Sequence, residues 1–378
     1  MEVINIPAQA ALKYAQLWDG FSQNLHNSGT LLINGGVIAE VNSSSHDNYP
    51  VWDFSQATIL PALIDAHIHL AFPEEDTTPF TTRAQQYLAA GVAAVRDAGS
   101  TLSVSTTNTP LLHLQSINAI YQQGSYGSSL GIATANLREA LQAVDKLAAA
   151  GAAQIKVIAS GIFSFSTYGK TGAATFSAAE LTEIVNQAAS YHLPVMAHAS
   201  GDEAVRRCLQ AGVTTIEHGY FMSRATLQEL AASDTCWIPT LSPVNAQLTK
   251  PELFTALTPS MHTVILRSLL RHQELIAEGA ALGAKIAAGT DAGAPGVLHG
   301  TALPEEILLL HNAGLTNFNA LQAATSLAAQ ACQLTQLGSI TPGKNPYLLV
   351  LSGNPLRDLN VLRTPLALIL PAARAWQQ

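Results

Sequence analysis

Short apolar runs alternate along most of the chain with stretches in which apolar residues recur every three or four positions. The runs read as buried strands and the periodic stretches as amphipathic helices. The strand candidates are Thr58–Leu63 continuing into Ile64–Leu70, then Val92–Arg96, Leu130–Ala133, Gln154–Ala159, Leu193–Ala197, Val213–Glu217, Thr235–Pro239 and Lys285–Ala288. Helical periodicity marks Leu137–Ala149, Ser177–His192, Asp202–Ala211, Ser223–Ala232, Met261–Leu282, Thr301–Ala313 and Asn317–Leu334. Glycine sits at helix-to-strand corners in AAAGAAQIKV and LQAGVTTIEH, where a left-handed residue lets the chain leave a helix. This alternation over residues 58–333 predicts an α/β fold of the (β/α)8, TIM-like barrel type rather than an open sheet. The third unit carries the weakest pattern.

The two ends follow a different rhythm. Thr30–Val41 reads as a hairpin around Asn34-Gly35-Gly36, and Tyr347–Ser352 and Leu366–Leu370 are short apolar strands separated by Pro and Gly turns. Residues 1–57 and 334–378 are therefore expected to join into one small β-sandwich domain beside the 58–333 barrel.

With 48% hydrophobic and 12% charged residues, the 378-residue chain can bury a large core and lacks a disorder signature. Its net charge of −8 argues against nucleic acid and anionic membrane as partners. A small-molecule substrate is the expected partner, and self-association into a homo-oligomer stays open. Cys208, Cys236 and Cys332 form no CxxC pair, so buried free thiols are expected rather than disulfides or a thiolate metal site. The N-terminal stretch has no basic segment followed by an apolar run, and no stretch approaches the roughly 18 apolar residues that span a bilayer. A cytoplasmic location is the corresponding expectation.

Chemistry concentrates where strands end. His67 and His69, in Asp65-Ala66-His67-Ile68-His69, lie two apart after an apolar run, so both imidazoles would point the same way and could converge on an ion. His198 ends Leu193–Ala197, His218 ends Val213–Glu217, and Asp291 follows Lys285–Ala288 in Gly289-Thr290-Asp291. In a parallel barrel these positions share the rim on which active sites are built. Lys156 lies inside a buried strand, where an ammonium is costly without a partner. Beside two dications it would be driven neutral and could take up carbon dioxide as a carbamate, whose two oxygens can bridge metals.

Together LPALIDAHIHL, VRDAGS, IKVIASG, PVMAHASGDEAVRRCLQAGVTTIEHG, AAGTDAG and GSITPGK resemble the amidohydrolase superfamily, in its imidazolonepropionase-like and Xaa-Pro dipeptidase-like branch. The resemblance covers nearly the whole chain. It implies two divalent metal ions, one held by His67, His69 and Asp291 and the other by His198 and His218, with carbamylated Lys156 and a hydroxide between them. Zinc is the first choice, with manganese, iron, cobalt and nickel open. Imidazolonepropionases proper do not use the bridging lysine, so Lys156 favours the peptidase-like side. The chain departs from the usual GK-x-ADLVV near its end, reading Gly343-Lys344-Asn345-Pro346-Tyr347-Leu348.

The implied reaction is hydrolysis of an amide C–N bond in a dipeptide or N-acyl amino acid, with Asp291 shuttling the proton. Opening of a cyclic amide, lactone or ester by the same hydroxide is the second enzyme reading. Deamination fits less well, and a catalytically silent metal-binding protein is the non-enzyme alternative. Around the centre, Tyr220 is a candidate for substrate contact or rim packing, and His299 for substrate contact or loop ordering. Tyr168, a further candidate for substrate contact, and Lys170 lie in the Gly161–Gly172 loop, long enough for a lid. Arg96 and Asp97 are expected to stiffen the rim by ion pairing. Glu217, expected to point away from His218, is read as a salt-bridge residue.

Overall fold

The computed structural model describes residues 1–44, 48–72, 78–101 and 109–372, so small parts of the two terminal segments, residues 45–47 and 373–378, lie outside the described residues. From the N-terminus come β1 (Glu2–Ile6), β2 (Ala10–Leu17), β3 (Gly29–Asn34), β4 (Val37–Val41), β5 (Val51–Pro61) and β6 (Leu63–Ile68). Next are α1 (Phe80–Ala89), β7 (Val92–Asp97), β8 (Leu112–Gln115), β9 (Ala119–Gln122), β10 (Gly131–Thr134), α2 (Leu137–Ala149) and β11 (Ile155–Ile158). The middle holds α3 (Ala178–Ser190), β12 (Val195–Ala199), α4 (Asp202–Ala211), β13 (Thr215–His218), α5 (Arg224–Ala231), β14 (Cys236–Ile238), α6 (Ser242–Thr249) and α7 (Pro259–Ala281). Last come α8 (Ala302–Asn312), α9 (Asn317–Ala323), α10 (Ser326–Ala331), β15 (Leu348–Leu351) and β16 (Ala367–Pro371).

Helix starts follow their capping chemistry. Ser177 and Glu180 form a reciprocal capping box at α3, while Asn136, Ser223 and Thr258 accept from the first-turn N–H groups of α2, α5 and α7. The helix α4 ends on Gly212 at φ 74°, the left-handed turn read from LQAGV. The Asn317–Leu334 stretch is two helices rather than one, broken at Thr325, whose φ and ψ of −131° and −96° are not helical.

Three sheets organise the strands. The seven-stranded one runs β1-β16-β15-β5-β2-β3-β4 and so is woven from both chain ends. It encloses its own apolar cluster, including Leu12, Leu31, Ile33, Ile59, Val350 and Ile369. The parallel sheets are β10-β9-β11-β12-β13-β14 and β6-β7-β8. Lys285–Ala288, expected as a strand, makes a parallel bridge at Ile286 to Trp237, and Ala66 N donates to Ala288 O at 3.0 Å. This extended segment thereby touches β14 on one side and β6 on the other.

The third unit differs from expectation. The strand β10, foreseen as Leu130–Ala133, is an outer neighbour of β9, and β9 is what pairs with β11. The strands β8 and β9 succeed one another across Ser116–Asn118, where Ile117 takes φ 66°. Gln154 bonds both Leu114 O and Ser116 Oγ and holds this irregular stretch in place. Among the described residues no helix is long and apolar enough to cross a membrane.

Candidate metal centre

Every residue of β6 is buried, and its end delivers His67 and His69 side by side, their ring centroids 5.4 Å apart. Each imidazole near this point is turned by an outer partner. His67 Nδ1 donates to the Glu217 carboxylate at 2.5 Å and His69 Nδ1 to the Gly99 carbonyl at 2.7 Å. His218 Nδ1 donates to Thr240 Oγ1 at 2.6 Å, and a backbone hydrogen bond at Gly161 engages His198. Such second partners fix which nitrogen keeps its lone pair, and they leave Nε2 of His67, His69 and His218 for a ligand.

Asp291 closes the group. Its Oδ1 lies 3.5 Å from His67 Nε2 and 3.3 Å from His69 Nε2, and donor atoms of His67, His218 and Asp291 lie within 4.8 Å of one another. The loop that carries Asp291 is tied to β6. Asp291 N donates to His67 O at 2.7 Å, and Asp65 accepts from both Thr290 N and Thr290 Oγ1. Gly289 has to be glycine, because a Cβ there would stand 2.6 Å from the Cβ of His67.

His198 lies beside His218, ring centroids 4.5 Å apart, and Lys156 on β11 lines the same cavity as both. Nε2 of His67, Nε2 of His198 and Nζ of Lys156 are buried without a hydrogen-bond partner among the described residues. Buried polar atoms are seldom left so. Burial also works against positive charge here. It pushes the Lys156 ammonium down to about 8, His67 to about 4 with Lys156 adding to the effect, His198 to about 3, and His218 well below its ordinary value. Burial opposes ionisation of Asp291 too, but the His69 hydrogen bond and the nearby His67 hold its carboxyl far below the usual carboxylate range. At His69 burial is outweighed by the Asp291 hydrogen bond and the proton is held more tightly, while neutral His67, His198 and His218, an ionised carboxylate and an unpaired amine form a donor set suited to divalent ions.

Four non-glycine residues with left-handed backbone gather at this rim: His218 (φ 68°), Phe221 (61°), Thr240 (50°) and Asp291 (56°). Such strain collects at functional sites. At His218 it also breaks strand alternation, which corrects the expectation that Glu217 points away. Glu217 contacts His67, whose ring is 5.1 Å from that of His218, so both neighbours serve one centre. The expected salt bridge of Glu217 is made to Arg96 at 3.0 Å. Asp97 pairs separately with His113 at 3.3 Å.

Beyond the donors lies a cavity of about 260 Å³ with a wall that includes Phe72, Tyr126, Ile162, Phe163 and Val244. Tyr220 is buried between Phe163 and His272, with ring centroids 4.6 and 3.7 Å away, and its hydroxyl has no hydrogen-bond partner among the described residues. The Tyr87 hydroxyl meets His299 Nδ1 at 2.8 Å, an arrangement that orders its loop. The 161–172 loop folds back on itself through a bridge between Phe163 and Thr171, which puts Lys170 and Tyr168 on its exposed tip. There the Arg267 guanidinium sits 4.1 Å over the Tyr168 ring, and Tyr168 does not line the cavity. Tyr126, Thr240 and Gln247 line it and were not foreseen from the sequence. The strand-end rule that singles out His198 and His218 also applies to Thr240, just past β14, and would have found it.

A model of the amidohydrolase family matches residues 58–371. Ochratoxinase of Aspergillus niger is 28% identical over 221 residues, 57% of this chain and 44% of that protein, so the match spans less than half of that relative's length. Imidazolonepropionase of Deinococcus deserti is 24% identical over 375 residues, with 88% of each chain covered. Among solved structures, a Xaa-Pro dipeptidase with methionine bound in its active site is similar at TM-score 0.82 and 24% identity, covering 94% of this chain and 97% of that one. The ochratoxinase structure is similar at TM-score 0.78 and 19% identity, covering 95% and 93%. At these identities the two structural likenesses show a shared fold.

Proposed function

The chain belongs to the amidohydrolase family, and from that premise we propose that it is a metal-dependent hydrolase of an amide C–N bond in a small substrate of the dipeptide or N-acyl amino acid type. The observation that carries this reading is a set of buried, unpaired donors: His198 Nε2 and Lys156 Nζ on residues that line one cavity with Asp291, and His67 Nε2 at 3.5 Å from the Asp291 carboxylate. The parallel strands from β6 to β14, joined through residues 285–288 back to β6, support reading residues 58–333 as a (β/α)8 barrel. Residues 1–57 and 334–378 then make up the small β domain.

We assign His67, His69 and Asp291 to one divalent ion and His198 and His218 to a second, zinc being the first choice. Such ions, when bound, supply a water acidic enough to serve as hydroxide near neutral pH and a Lewis acid for the scissile carbonyl. Lys156, lowered to about 8 by burial, carries a neutral fraction at mildly alkaline pH. Its lone pair could attack the carbon of carbon dioxide with loss of an N–H proton to water, and the carbamate would then join the residues that hold the ions. Asp291 takes the proton from the attacking water and hands it to the leaving nitrogen, which departs as an amine.

Metal analysis combined with a panel of dipeptides, N-acyl amino acids and their carboxamides, cyclic amides and lactones tests this reading. Stoichiometric metal with amide cleavage is the expected result. Full metal loading with no turnover on any of the panel would remove the hydrolase assignment, and turnover of lactones alone would move it to C–O bonds.

A further inference from the structure

The wall facing the donors is aromatic and aliphatic, and it lacks a free positive charge. Lys156 is the one Lys or Arg among the described residues that line the cavity, and it belongs to the metal centre. Of the cations on the flanking elements, Lys170 stands on the exposed tip of the 161–172 loop and two others are committed elsewhere. Arg267 covers the Tyr168 ring, and Lys250 Nζ donates to the Gly296 carbonyl at 2.6 Å. Ser200, Thr240, Tyr220 and Gln247 interrupt the apolar wall with neutral polar groups, and two of these groups are unpaired. Gln247 Oε1 and the Tyr220 hydroxyl are both buried without a hydrogen-bond partner among the described residues.

Gln247 sits one turn beyond Pro243 and Val244 on α6, and these three residues present one face to the cavity. The start of that helix is anchored. Glu306 accepts from Leu241 N, Ser242 N and Ser242 Oγ at 2.8, 2.8 and 2.5 Å. The Gln247 carbonyl oxygen is thus a fixed acceptor at the edge of an apolar chamber. The Gln247 amide and the Tyr220 hydroxyl can each donate or accept and so satisfy a neutral polar end of a ligand, whereas a carboxylate would bring a charge that no cation outside the metal centre offsets among the described lining residues.

We propose that the site selects substrates whose end remote from the scissile bond is uncharged. These are N-acyl amides with a blocked carboxyl group and an aromatic or alkyl body, with Gln247 as the specificity-determining residue. This rests on the amide-hydrolase reading and narrows it, away from free dipeptides and N-acyl amino acids and toward their carboxyl-blocked amides. Hydrolysis adds water across the C–N bond, so the acyl part leaves as a carboxylate and the remainder as an ammonium ion.

A matched pair of probes tests the proposal: N-benzoyl-L-alaninamide and N-benzoyl-L-alanine differ at the remote end by one charge. Benzoate release by the metal-loaded enzyme gives kcat/KM, and calorimetry on metal-loaded Asp291→Asn protein gives Kd without turnover. The amide is expected to be favoured over the acid by about tenfold or more in both, since one buried unpaired charge separates them. Gln247→Lys is expected to cut or invert that preference by placing a cation at the remote end. Equal or better use of the acid by the wild type overturns the proposal, as does failure of the amide to bind at millimolar concentration. An unchanged ratio in Gln247→Lys removes the role of Gln247. Release of benzoate from neither probe, with the preference in Kd retained, counts against the hydrolase reading and for the uncharged chamber.

Discussion

At the scale of single residues, the donors divide into groups that would bind and a group that moves a proton. Asp291→Asn keeps an oxygen donor and the tie of its backbone to His67, but it loses the basic site. Its kcat is expected to fall about 10²–10⁴-fold with KM changing little, measured with metal content checked in parallel. Glu217 makes a different prediction, because it accepts from His67 Nδ1 and pairs with buried Arg96. Glu217→Gln should weaken metal binding about 10–100-fold in a chelator competition, since an outer-sphere partner is lost. It should also cost about 3–5 kcal/mol in urea unfolding, because Arg96 is left buried and uncompensated. That five of these six side chains gather was legible in the sequence because strand ends converge in a parallel fold, and Lys156 was marked by a charge inside a buried strand. Glu217 was not placed correctly, because the inference assumed regular alternation and the left-handed φ at His218 leaves no mark in the sequence. Tyr168 escaped for a related reason. Spacing cannot show that a loop turns its tip toward Arg267.

Elements matter through how firmly they hold those residues. The segment bearing Asp291 packs so closely on β6 at Gly289 that Gly289→Ala should cost about 1–3 kcal/mol by overpacking and reduce metal content, read by thermal melting and metal analysis. The seat of α6 gives a pH dependence. Burial pushes the Glu306 carboxyl up from 4.5 to about 7, against the hydrogen bonds from Ser242 and Leu241. A raised acid pKa means that the folded chain binds this proton more tightly than the unfolded one. The stability it contributes is therefore full below about 4.5 and is lost as pH rises through about 7. Urea midpoints measured from pH 4.5 to 8 should fall less steeply in Glu306→Gln than in the wild type; an equal slope would discount the shift. Most helices were readable from period alone, with Leu137–Ala149 and Asp202–Ala211 matching α2 and α4 end to end. The strands β8 (LHLQ) and β9 (AIYQ) were not, being short, partly polar and interrupted at Ile117. The helix α6 was missed as well, because its Ser-Pro start reads as a turn.

For the whole molecule, the seven-stranded sheet and the site are coupled through a nearly continuous piece of chain. The strand β5 belongs to that sheet, and after Ala62 the chain enters β6 and reaches His67. The strand β15 lies between β16 and β5, and Leu349 from it packs where any side chain at Gly91 would collide. Removing residues 346–378 is expected to strand β1, bare the edge of β5 and yield aggregated protein, checked by size-exclusion chromatography and circular dichroism. That the two chain ends join in one sheet was readable in outline, since both ends carry short apolar strands. The parallel pairing of β1 with β16 has no local signal. Central to the account is that the buried donors hold a pair of ions on which amide cleavage depends. The most direct test is to strip the protein with a chelator, titrate zinc back in the presence of bicarbonate, and follow metal content and amide turnover together. The account predicts loss of turnover on stripping and recovery that saturates at two ions per chain. Undiminished turnover in the metal-free protein would contradict it.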